Sequence, residues 1–205
     1  MKNLENVSLI VVDCVDYASA KLSLEHCKAD INFGEAKLLS HFDIADSAIE
    51  KIPKISSREE YSIFMVQDLA NYFSKDFVLV AQWDGFVWHP ELWDDEFLKY
   101  DYIGAPWYPD QLQPGVPKHF IVGNGGFSLR SKRLQEFLRD NFDNLLWHKA
   151  EDVVISQFNR NYLEANGFKF APLEVAEKFA LENGPMRQAF GVHARVKLIN
   201  PNKSK

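Results

Sequence analysis

The first apolar run of the chain, Val7 to Val12, reads VSLIVV and is rich in β-branched side chains. A run of that length and make-up predicts a buried strand. Asp13-Cys14-Val15-Asp16 comes directly after it and puts polar groups at its C-terminal end. Ala18 to Lys28 then changes to helical spacing, with Ala20, Leu24 and Cys27 on one side. Ala36 to His41 predicts a second strand, and Ile52 to Ser57, with Pro53 and two serines, a loop. Arg58 to Tyr72 predicts a helix capped by Ser57, with Glu59 and Glu60 in its first turn. Phe77 to Gln82 (FVLVAQ) is the clearest central strand, and it stops at Trp83-Asp84-Gly85.

The second half is more broken. Tyr102 to Ala105 predicts a short strand, and Pro106 to Lys118, with four prolines and a glycine, an exposed loop or flap. Phe120 to Val122 leads through Gly123-Asn124-Gly125-Gly126 into Phe127-Ser128-Leu129-Arg130. Ser131 to Phe142 and Glu151 to Asn161 read as helices, Phe168 to Pro172 as a last strand, and the tail after Gly184 as irregular. There is no internal repeat, low-complexity tract or linker. A strand–helix–strand opening and then mixed strands and loops predict one three-layer α/β/α domain over residues 1–205, with a mixed central sheet and one nucleotide-facing edge.

Composition narrows the function. With 46% hydrophobic and 25% charged residues the chain is globular, not disordered or fibrous. A net charge of −6 argues against a broad nucleic-acid surface. Cys14 and Cys27 form no C-x-x-C pair, so neither a zinc site nor a disulfide framework is indicated, and both read as reduced, buried thiols. No signal peptide opens the chain and no apolar run spans a bilayer, so a cytoplasmic location is expected. Arg195, Lys197, Lys203 and Lys205 leave a peripheral membrane contact open, although a solvated tail also explains them.

Four constellations could carry chemistry. Asp84, in Gln82-Trp83-Asp84-Gly85, sits after a buried strand at the crevice where open α/β sheets bind ligands, and could hold a cation and its diphosphate or merely cap a turn. Gly123-Asn124-Gly125-Gly126 implies special backbone conformations or close contact with a ligand; it is neither a P-loop nor a Rossmann fingerprint. Glu151-Asp152 opens a helix, where the macrodipole favours negative charge, and could also supply a general base. His193, after Gly191 in the tail, could ligate a metal through neutral imidazole or be an ordinary hydrogen-bonded residue; His26, His41, His89, His119 and His148 invite the ordinary reading more strongly.

In this order the blocks resemble inverting GT-A glycosyltransferases. They are most similar to an uncharacterised glycosyltransferase-like family with the pattern Q-x-D-G/S, Y-D-Y-I-G-A-P-W, G-N-G-G-F/L-S-L-R-S, E-D-V and F-G-x-H. Here these are Gln82 to Gly85, Tyr100 to Trp107, Gly123 to Ser131, Glu151 to Val153 and Phe190 to His193. Fringe and β-1,3-glycosyltransferases are more distantly similar. The resemblance covers about residues 7–195. It implies that Asp84 is the last acid of a D-x-D metal motif, that His193 completes the metal shell, and that Asp152 is the catalytic base with Glu151 beside it. It implies that Gly125 and Gly126 approach the sugar, and that Asp13 and Val15 contact the nucleoside, with Gln82 and Trp83 also on the donor. Gln82 stands where the usual motif has Asp; it can bond a ribose hydroxyl but ligates a cation less strongly.

The expectation is therefore a Mn²⁺- or Mg²⁺-dependent hexosyltransferase of polysaccharide biosynthesis. It would move a sugar with inversion from a nucleotide-sugar, UDP being the commonest carrier, to a hydroxyl of a glycan or lipid-linked glycan, alone or as one module of a larger enzyme. The flap from Pro106 to Lys118, with Trp107 and Tyr108, would close over the donor. A non-catalytic nucleotide- or sugar-binding relative has no need of a base beside Asp84 and His193. A nucleotidyltransferase usually carries a glycine- and arginine-rich loop after its first strand, which Asp13 to Tyr17 lacks.

Overall fold

The long apolar strand β1 (Lys2–Val12) can bury both its faces, and so it lies inside the sheet. The computed structural model describes residues 1–194. In chain order the remaining strands are β2 (Ile31–Ser40), β3 (Ile49–Lys51), β4 (Phe77–Ala81), β5 (Phe86–Val87), β6 (Tyr102–Gly104), β7 (Phe127–Ser131), β8 (Ala180–Leu181) and β9 (Gly191–Val192). Six form the main sheet in the order β3-β2-β1-β4-β7-β6. β3, β2, β1 and β4 run parallel; β7 runs antiparallel to β4 and to β6. β5, β9 and β8 make a small second sheet.

The side-chain alternation of the central strands fills two layers. Val7, Leu9 and Val11 of β1 and Leu79 and Ala81 of β4 face Ala20, Leu24 and Cys27 of α1 (Tyr17–Lys28). Ile10, Val12, Val78 and Val80 point the other way, onto Phe64, Met65, Leu69 and Phe73. The first three belong to a helical run that starts as α2 (Arg58–Ile63), loosens into π-helical turns over Phe64–Asp68 and tightens over Leu69–Asn71, and Phe73 follows it. Ser57 caps it as its sequence suggests, its Oγ accepting from Glu60 N at 3.1 Å. α3 (Lys132–Asp140), α4 (Glu151–Val153) with π-helical turns over Val154–Phe158, and α5 (Arg160–Ala165) enclose a third apolar cluster with Tyr102 and Phe170. Cys14 and Cys27 are free and buried. Among the described residues, no helix is long and apolar enough to cross a membrane.

Several elements differ from the sequence expectation. Glu151 to Asn161 is not one helix: its second part widens into π turns and a new helix starts at Arg160. Phe168 to Pro172 forms no strand; Phe170 makes an isolated bridge to Tyr102, because Pro172 ends the pairing and leads into α6 (Leu173–Phe179). The tail after Gly184 is not wholly irregular, since β9 inserts between β5 and β8. The Pro106–Lys118 loop is anchored rather than free. Trp107 is buried against Ala150 and Val153, its N–H bonds Ile121 O at 2.7 Å, and Gln113 N bonds Gln157 Oε1 at 3.0 Å. The basic residues Arg195, Lys197, Lys203 and Lys205 lie outside the described residues.

β9 is held by aromatic packing. Phe190, fully buried beside it, contacts the rings of Trp93, Phe97, Phe127 and Phe179 at centroid distances of 5.1, 6.2, 5.9 and 5.9 Å. Phe190→Ala should cost about 3–5 kcal/mol of stability, measured as a shift of the urea midpoint at unchanged slope.

Candidate active site

The parallel strands β1 and β4 end at the same edge, and a cavity of about 550 Å³ opens there. Val12 to Asp16 line it on one side, with Ile55 to Arg58, Tyr61, Gln82 and Trp83 around the rest. Asp13 is partly committed to its own turn: Oδ1 accepts from Val15 N at 2.6 Å and Asp16 N at 2.7 Å. Its second carboxylate oxygen makes no hydrogen bond among the described residues. Val15 is 85% exposed, so whatever it touches comes from outside the fold. Arg58 is the one cationic side chain among these lining residues.

Gln82 connects this cavity to a second group of polar side chains. Its Nε2 donates to Tyr61 Oη at 3.2 Å, and its Oε1 lies 3.3 Å from His193 Nε2. A carboxylate in its place could only accept from the phenol, whereas the amide donates to it. The same His193 nitrogen is 3.4 Å from Asp84 Oδ1, and His193 Nδ1 is 3.2 Å from Glu182 Oε1. Burial alone would lower the His193 pKa, but Asp84 and Glu182 outweigh it and push it up to about 9.

These residues fit a divalent cation. Asp84 Oδ1 is buried and accepts no hydrogen bond among the described residues, although the protonated ring of His193 is close by. Asp84 Oδ1 and the Gln82 amide oxygen lie 3.4 and 3.3 Å from His193 Nε2, the separation of two neighbouring donors on one ion with bonds of about 2.1 Å. Glu182 stands behind the ring as carboxylates stand behind metal-ligating histidines. A cation there would take the place of the Nε2 proton. Among the described residues no three His, Cys, Asp or Glu side chains form a metal site by themselves. A bound ligand would have to supply the remaining donors.

The glycine run faces both acidic groups. Among the described residues the positive-φ glycines are Gly115, Gly167 and Gly184, so the run 123–126 is glycine-rich for close approach and not for a left-handed backbone. A Cβ on Gly126 would lie 2.1 Å from His193 Nε2. A Cβ on Gly125 would lie 2.3 Å from Glu151 Oε1 and 3.0 Å from Asp152 Cβ. Gly125 N donates to Asp152 Oδ2 at 3.1 Å and Val153 N to Asp152 Oδ1 at 2.8 Å. Burial, with the charge of Glu151 added, pushes Asp152 up to about 7 despite those donors. Glu151 itself pairs with the fully buried Arg130, Oε1 to Nη2 at 3.3 Å.

The structure thus gathers Gln82, Asp84, Gly126 and His193 into one cluster and Gly125, Glu151 and Asp152 into another, joined by two adjacent glycines. Asp13, Val15 and Trp83 line the cavity beyond Gln82. Tyr61, Glu182, Arg58 and Arg130 were not among the sequence candidates. Only Arg130 left a signal: Phe127-Ser128-Leu129-Arg130 alternates apolar and polar within a strand buried along its whole length.

The sequence matches one described family over residues 46–193. The chain belongs to the DUF5672 family, described as protein of unknown function. No curated protein matches this DUF5672 member. Its fold is similar to that of the galactosyltransferase LgtC in complex with donor and acceptor sugar analogs, with a TM-score of 0.52, 12% identity, and coverage of 91% of this chain and 86% of that one. An active-site mutant of LgtC aligns with a TM-score of 0.49, 13% identity and the same coverage. This DUF5672 chain therefore has the mixed-sheet α/β/α GT-A glycosyltransferase fold.

Gly126→Ala should expel the His193 ring from its two carboxylates. The His193 Cε1–H resonance, titrating near about 9 in the wild type, should move toward the ordinary histidine range near 6.5 in the variant.

Proposed function

We propose that this protein is an inverting, metal-dependent glycosyltransferase that moves a hexose from a nucleotide-sugar, UDP-linked, to a hydroxyl of a glycan or lipid-linked glycan. The observation that carries the reading is Asp152: a carboxylate held by the glycine strand, one glycine away from the His193 cluster, with its pKa pushed up to about 7. A sugar hydroxyl is a poor nucleophile at neutral pH and needs a positioned base.

The nucleoside occupies the 550 Å³ cavity, where the second Asp13 oxygen accepts from a hydroxyl or ring N–H and Arg58 faces the negative charge of the phosphates. Val15 covers the nucleoside from the exposed side. Asp84, His193 and the Gln82 oxygen would hold Mn²⁺ or Mg²⁺ beside the diphosphate. When bound, that ion neutralises charge on the leaving group. Gly125 and Gly126, lacking side chains, let His193, Glu151 and Asp152 close in around the site where the sugar is transferred. Asp152 takes the acceptor's proton as its oxygen bonds the anomeric carbon and the bond to the diphosphate breaks, which inverts the centre in one displacement.

A thermal-shift screen of nucleotides with and without Mn²⁺ tests donor binding. A Mn²⁺-dependent rise in Tm with UDP, absent in Asp84→Ala, is expected; no shift with any nucleotide sinks the reading. Asp152→Asn should lose about 10²–10⁴-fold in transfer while keeping that shift. In the wild type kcat/KM should rise with pH through about 7 and then level, because the base acts only when deprotonated. A profile that falls over that range would exclude Asp152 as the base.

A further inference from the structure

Arg130 is a guanidinium with no solvent exposure at all. A cation so placed is costly unless something needs its charge. Its hydrogen bonding is sparse for a purely structural residue. Nε donates to Ser128 Oγ at 3.0 Å, Nη2 donates to Glu151 Oε1 at 3.3 Å, and Nη1 has no hydrogen-bond partner among the described residues. The guanidinium carbon lies 5.4 Å from the centre of the Tyr102 ring.

The position is more telling than the bonds. The point where a Gly125 Cβ would stand is 3.1 Å from Arg130 Nη2, 2.3 Å from Glu151 Oε1 and 3.0 Å from Asp152 Cβ. One missing side chain lets a cation from β7 and two adjacent carboxylates from α4 meet behind the strand. Two neighbouring carboxylates, Glu151 buried and Asp152 half-buried, cannot both keep their charge cheaply without a cation.

We propose that Arg130 is a positioning residue: it binds Glu151 as its counter-ion behind Gly125, so that Asp152 is the member of the pair that gives up and takes a proton at the site. This rests on the reading of Asp152 as the base. The charged and titratable groups facing Asp152 are Glu151 on its own helix, Arg130 on β7, Tyr61 on the helical run after Ser57 and Tyr102 on β6. Burial holds both phenols above the ordinary tyrosine range, so they stay neutral while Asp152 titrates. The changeable charges are therefore Arg130 and Glu151. They act in opposite directions, Glu151 raising the Asp152 pKa and Arg130 lowering it.

The test needs no substrate. The Asp152 carboxyl carbon is monitored by ¹³C NMR across pH in the folded full-length protein, assigned by its loss in Asp152→Asn. Arg130→Gln should move the midpoint up by on the order of one pH unit, Arg130→Lys should leave it in place, and Glu151→Gln should move it down. An unmoved midpoint in folded Arg130→Gln, or equal shifts in the Gln and Lys variants, overturns the proposal. If Arg130→Gln does not fold, Glu151→Gln decides, and an unmoved midpoint there overturns it. Failure of the transferase reading would show separately, as no nucleotide shift and no turnover in a wild type whose carboxyl titration still responds to these substitutions.

Discussion

The contact that organises this site is between a bare stretch of backbone and three ionisable groups. Gly125 and Gly126 let Glu151, Asp152 and His193 approach the start of β7 at distances that any Cβ would forbid. This sets the other placements. Gly126 also takes Gln82 N onto its carbonyl at 2.9 Å, which ties the end of β4 to the same stretch. Ser23 Oγ, from α1, donates to Gln82 O at 3.0 Å and Gly85 O at 2.6 Å, so the turn carrying Asp84 is fixed from the opposite layer. The site is assembled from both layers and the sheet between them, each fastened to the glycine stretch directly or through one intermediate.

The parallel half of the fold could be read from the chain. The runs at Val7 and Phe77 are uncharged because both strand faces are covered, and periodicity needs no further information there. The later elements depend on tertiary context. β8 and β9 have two residues each, too short for any pattern, and exist because Phe190 is seated among four other aromatic rings. The π-helical turns at Phe64 and Val154 likewise leave no trace in hydrophobic spacing.

Legibility of the site divides in the same way. Residues grouped in short sequence blocks, such as Glu151-Asp152 or Gln82 to Asp84, could be nominated because the chemistry is local. Tyr61 and Glu182 could not: each becomes relevant only by meeting Gln82 or His193 from a distant part of the chain. The glycine run could be nominated for special backbone or for close contact; its glycines have no positive φ, and the crowding that excludes a side chain comes from groups of the protein itself, which the sequence does not show. Gln82, which reads as a weakened metal ligand in isolation, is in place a two-ended amide that binds a phenol on one side and an imidazole on the other.

The direction of β7 has a consequence for how such a protein can change. β1 and β4 deliver the chain to the crevice at their ends, so the residues just after each strand are bound to line that cavity. β7 runs the other way and delivers its beginning, so the segment feeding it, from Ala105 to Asn124, lies upstream of the glycines. That segment can be lengthened, shortened or rewritten between its Pro106–Val122 bridge without shifting the register of any strand in the main sheet. That edge can therefore be rebuilt while the residues that line the cavity at the ends of β1 and β4 stay where they are.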